Sequence, residues 1–133
     1  MKMRLERVPY MPKVLEPGVL YYAEEFGAAT HLCPCGCCHK VQTPVGPSDY
    51  SLRVDKSGPT LFPSIGNWQR PCRSHYWIRN GEVVWDEPWR ETQIIAGRAA
   101  EAARDRAYFE RRARARNRPW ARFLRWLRRG LEE

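Results

Sequence analysis

The chain has no run of about 18 apolar residues, which excludes a membrane-crossing helix. An apolar segment is also missing near its start, where Met1-Lys2-Met3-Arg4-Leu5-Glu6-Arg7 is charged. A reducing, cytoplasmic setting is therefore expected, with cysteines kept as thiols. Two catalytic signatures are absent as well, G-x-S-x-G and H-E-x-x-H. Lysine is missing from residues 89–133, where thirteen arginines face six acids for a net charge of +7. Residues 1–88 carry ten Lys/Arg and nine Asp/Glu, a net of +1. The chain thus reads as a near-neutral body, 1–88, followed by an arginine-rich tail, 89–133.

What is present is a concentration of thiols. All five cysteines fall in Cys33-Pro34-Cys35-Gly36-Cys37-Cys38-His39 and in Cys72-Arg73-Ser74-His75. Thiolate and imidazole are the ligands zinc prefers, and segments far apart in sequence must converge to close a tetrahedral site. C-x-C-x-C departs from the usual C-x2-C, whereas C-x2-H is ordinary spacing. Cysteines two apart make poor disulfides in extended chain, because their side chains diverge. A metal site is the better reading, with Cys33, Cys35, Cys37, Cys72 and His75 as candidate ligands. His75 favours Zn2+ over an iron–sulfur cluster.

The body reads as a small antiparallel β structure of five to seven short strands. Gly18 to Ala23 is β-branched and aromatic, and Glu24 to Gly27 turns the chain. Lys40 to Val45 and Tyr50 to Val54 alternate apolar with polar, and Thr60-Leu61-Phe62 begins a return strand before a loop from Pro63 to Trp68. Asn80-Gly81 between two apolar runs is the strongest hairpin signal in the chain. A core of this size is modest, so a structural metal would matter to stability. The tail reads as two helices. Residues 89–116 lack proline and are rich in Ala, Arg and Glu. Pro119 suits the first turn of a second helix, with Trp120, Phe123, Leu124 and Leu127 on one stripe and Gly130 as its end. The predicted class is α+β: a zinc-binding antiparallel β domain followed by basic helices. Such a tail could pack on the sheet, lie on a membrane surface, dock on an acidic protein, or bind nucleic acid.

Two blocks carry a family resemblance. The first is Leu20 to Phe26 followed by His31-Leu32-Cys33-Pro34-Cys35-Gly36-Cys37. The second is Leu61-Phe62-Pro63-Ser64-Ile65-Gly66-Asn67-Trp68 followed by Cys72 to Ile78. With Gly81 and Trp85, they resemble the bacterial family known as domain of unknown function 6527, over residues 17–86. Cys38 stands where that pattern carries glycine, which makes it the poorest candidate ligand. The resemblance implies a peptidase that processes or removes a ubiquitin-like modifier, with that modifier and its conjugation enzymes as partners.

The residues allow two routes to such chemistry. A zinc hydrolase needs three protein ligands, a bound water and a general base, for which Glu24 or Glu25 is nearest in sequence. Ser64, Asn67 and Ser74 could then stabilise an oxyanion. The second route takes Ser64 or Ser74 as nucleophile with His31 or His39 as base. Glu25, Ser64 and Ser74 are thus the candidate catalytic residues. The alternative to an enzyme is a zinc-stabilised module that binds a protein or nucleic acid through its arginines.

Overall fold

A computed structural model describes residues 1–131 and shows the α+β class. The chain forms two compact units, Met1–Glu91 and the segment from Thr92 onward. The first unit holds two four-stranded sheets. One runs in the order β1 (Arg4–Arg7), β2 (Val19–Ala23), β3 (Ala28–Leu32), β4 (Lys40–Pro44). The other runs β5 (Ser51–Asp55), β6 (Gly58–Gly66), β7 (His75–Arg79), β8 (Glu82–Trp85). Every pairing is antiparallel except β1 with β2. Eight strands replace the expected five to seven; the additions are β1, whose Arg-Leu-Glu-Arg sequence hides a strand, and β3.

The two sheets share one core. Leu20, Ala29 and Val41 of the first meet Leu61, Ile65, Tyr76, Ile78 and Val83 of the second. Period-two alternation shows in β4, where Val41 and Thr43 are buried between exposed Lys40, Gln42 and Pro44. The outer face of β2 buries Val19 and Tyr21 against Leu15, under the proline-rich lead-in.

The β7–β8 hairpin turns at Asn80 and Gly81, with φ of 50° and 74°, the two positive values a type I′ turn requires. Gly81 also meets the backbone of Ser57 so closely that a Cβ would collide with its carbonyl. The Gly81 N–H donates to the Pro59 carbonyl at 2.9 Å, and its own carbonyl accepts from the Met3 N–H at 2.7 Å. This hairpin tip therefore ties the start of the chain to the second sheet.

Strand β6 departs from the expected loop at Pro63, because it continues to Gly66. Its register against β7 shifts between Leu61 and Ile65. Such an irregularity takes residues out of the ladder and re-aims their side chains. Ser64 lies inside it.

The second unit contains most of α1 (Glu91–Arg116) and all of α2 (Pro119–Leu131). Only Ile94 of α1 is buried. An Arg125 guanidinium N–H donates to the Arg116 carbonyl, satisfying an orphan acceptor at the C-terminal end of α1. Gly130 does not end α2, which continues to Leu131; it lacks the left-handed conformation of a C-terminal cap. Among the described residues, no helix is long and apolar enough to cross a membrane.

Candidate metal centre and serine–histidine pair

Cys33 follows β3, and the tight turn after it is held by the Gly36 N–H donating to the Cys33 carbonyl at 3.2 Å. Gly36 has a φ of 91°, a conformation that suits glycine. The Cys33 N–H donates to the His39 carbonyl at 2.9 Å and closes the loop. Cys72 arrives from the segment leading into β7. The sulfurs of Cys33, Cys35, Cys37 and Cys72 then lie within 4.8 Å of one another. Cys33 and Cys35 are 3.4 Å apart, and Cys37 and Cys72 3.8 Å. A ZnS4 tetrahedron with bonds of about 2.3 Å has edges of about 3.8 Å. The donor set fits a tetrahedral metal ion.

Polar neighbours suit thiolate charge. Ser74 Oγ lies 3.3 Å from Cys33 Sγ and donates to Cys72 Sγ at 3.2 Å. Asn67 Nδ2 points at Cys33 Sγ from 3.7 Å, and His39 Nδ1 lies 3.2 Å from Cys37 Sγ. The Ser74 hydroxyl holds the Cys35 thiol down to about 6, and it also lowers Cys72. Burial pushes Cys33 up to about 12. Cys38 turns away, its Sγ directed at the Gly36 carbonyl.

His75, placed among the candidate ligands by its spacing, is not in this group. Its buried ring engages other partners. Nε2 lies 3.0 Å from Ser64 Oγ, and Nδ1 lies 2.7 Å from the Glu87 carbonyl oxygen. A carbonyl can only accept, so Nδ1 carries the proton and Nε2 presents its lone pair to the Ser64 hydroxyl. The Asp86 carboxylate stands 4.0 Å from Nδ1. It accepts from the Trp77 indole N–H at 3.0 Å and the Glu87 N–H at 2.8 Å, and these hold its pKa below the ordinary value. Trp68 and Trp89 wall the imidazole, with ring centroids 5.0 and 5.3 Å from it, and stack on one another at 5.6 Å. Gly66 makes room for Trp68, since a Cβ there would run into the indole.

The other candidates are distributed differently. Ser74 lies among the thiols. Glu25 sits on the exposed one-turn 3-10 helix Glu24–Phe26, at the opposite end of β3 from Cys33. Five residues of strand separate them by roughly 16 Å, so the structure does not bring Glu25 to the sulfurs. His31 is fully buried, and its Nε2 pairs with the Tyr76 hydroxyl at 2.7 Å. His39 lies by Cys37, not by either serine. Asp86, Glu87, Trp68 and Trp89 were not among the sequence candidates. The signal that points to them is register: Tyr76 opposite Trp85 returns the chain after β8 to His75, whose carbonyl accepts from the Asp86 N–H at 2.9 Å.

A family model described as bacterial ubiquitination-like system serine protease (BubE) matches residues 7–86. It bears out the bacterial ubiquitin-like setting implied by the sequence resemblance, under a different family description. No curated protein and no solved structure matches the chain.

Proposed function

The chain belongs to the BubE family of bacterial ubiquitination-like systems, and from that premise we propose that it is a serine peptidase with Ser64 as nucleophile and His75 as base. The observation that carries this reading is the 3.0 Å contact between Ser64 Oγ and His75 Nε2, with the tautomer set by the Glu87 carbonyl. Ser64 Oγ attacks the scissile carbonyl as its proton passes to Nε2. The imidazolium formed is supported by the Glu87 carbonyl and the Asp86 carboxylate. Nε2 then gives the proton to the leaving group, and water releases the acyl group from Ser64 by the same steps in reverse. Trp68 and Trp89 keep bulk water off the ring, which strengthens these interactions.

The thiol group is assigned a structural zinc ion, held by Cys33, Cys35, Cys37 and Cys72. Four thiolates complete a tetrahedral shell, so a water-activating role has no ligand position to use. Bound there, zinc supplies a cross-link between the loop after β3 and the entry to β7. Since His75 follows Cys72 by three residues, that cross-link fixes the strand end carrying the base.

The substrate is proposed to be a bacterial ubiquitin-like protein or its conjugates, with the conjugation enzymes as partners. Phe62, two residues before Ser64, is exposed and lies 6.1 Å from the Trp77 ring, which offers an apolar surface for the residues around the scissile bond. The test is cleavage of a ubiquitin-like protein extended at its C-terminus. Ser64→Ala and His75→Gln should each lower the rate by about four orders of magnitude while leaving the fold intact. Glu25→Gln should have no effect. A Ser64→Ala chain that cleaves at the parent rate would overturn the assignment.

A further inference from the structure

Helix α2 separates its residues into two arcs. At 3.6 residues per turn, Trp126, Phe123, Leu127, Trp120 and Leu124 occupy roughly 160° of its circumference, and Arg128, Arg125, Arg129 and Arg122 fall in the remainder. Residues 118–131 hold five arginines and no acid; Glu132 and Glu133 follow. The apolar arc is open to solvent: Trp126 is 68% exposed, Trp120 60% and Phe123 57%. The Phe123 and Trp126 rings stack on each other at 6.1 Å. Soluble proteins rarely leave a contiguous apolar surface of this kind uncovered.

We propose that α2 is an interfacial helix that binds anionic membrane surfaces, its apolar arc in the headgroup–acyl boundary and its arginines among acidic headgroups. A nucleic-acid backbone would engage the arginines but offers nothing to cover two tryptophans, a phenylalanine and two leucines. A protein groove would need an apolar floor and an acidic rim in matched register. An anionic bilayer supplies both over any wide arc, and tryptophan with arginine is the pairing such interfaces favour. Arg125 also serves the end of α1 through its bond to the Arg116 carbonyl. Arg122, Arg128 and Arg129 are therefore the cations assigned to the surface.

The experiment is co-sedimentation of the full chain with vesicles of phosphatidylcholine alone and with a third phosphatidylglycerol. Binding should require the anionic lipid and weaken as salt is raised. Phe123→Glu/Leu127→Glu should abolish it. Arg122→Gln/Arg128→Gln/Arg129→Gln should weaken it by about fivefold per arginine, on the order of a hundredfold in all. Ser64→Ala should bind like the parent, because the proposal is independent of the peptidase reading. No binding to anionic vesicles would overturn it, as would undiminished binding by the Phe123/Leu127 variant. Binding to duplex DNA in place of vesicles, unaffected by that variant, would assign the arginines to phosphate backbones and also overturn it.

Discussion

Removing the metal should loosen the body by a calculable amount. Cys37 and Cys72 are 35 residues apart, and a cross-link closing a loop of that length removes about 4 kcal/mol of chain entropy from the unfolded state. Two further sulfurs from the same turn, those of Cys33 and Cys35, add to the constraint, and structural zinc in small peptides binds with about 10–16 kcal/mol. The loop term is therefore the least that chelation can cost. For a body of this size, about 4 kcal/mol corresponds to a fall in Tm of roughly 15–30 °C. The assay is calorimetry of metal-loaded protein before and after a chelator, with elemental analysis to confirm loss of one metal per chain. Peptidase activity should fall alongside, since the strand entry bearing His75 is released. Quantitative loss of metal with a Tm change under about 3 °C would refute the staple. So would protein purified under reducing conditions that folds and cleaves with no metal bound.

Tyr76→Phe removes the hydroxyl paired with His31 Nε2, and among the described residues Nδ1 of that ring has no hydrogen-bond partner. It should destabilise the body by about 1–3 kcal/mol, read as a lower denaturation midpoint at unchanged m. Asp86→Asn keeps the Glu87 carbonyl on His75 Nδ1 and removes a charge 4.0 Å away, so kcat/KM should drop on the order of tenfold. A loss near 10⁴-fold would show that Asp86, not Glu87, orients the ring.

Local chemistry made much of this legible in the sequence. Asn80-Gly81 specifies its hairpin because both turn residues need positive φ, and β7 and β8 lie where that turn puts them. The thiol group was visible because three cysteines share one turn and the fourth could reach them only if two segments converge. β1 was hidden because a short outer strand pairing along one edge can be charged. His75 lies outside the thiol group for a physical reason. C-x2-H fits a metal ligand, but where the ring of a strand residue points depends on the neighbouring strand. Gly66 lies opposite His75, which puts Ser64 on the diagonal position, within the β6 irregularity and 3.0 Å from the imidazole. Residues 11 apart in sequence become a pair only through that register. The Glu87 carbonyl could not be inferred at all, since a backbone acceptor leaves no trace in residue identity.

The central claim is that Ser64 is the nucleophile activated by His75. Its most direct test is labelling of the metal-loaded chain with a fluorophosphonate, followed by peptide mass spectrometry. One adduct is expected, on the peptide containing Ser64, lost in His75→Gln and retained in Ser74→Ala. A chain that cleaves its substrate while Ser64 stays unlabelled, or one labelled at Ser74 instead, would contradict the account.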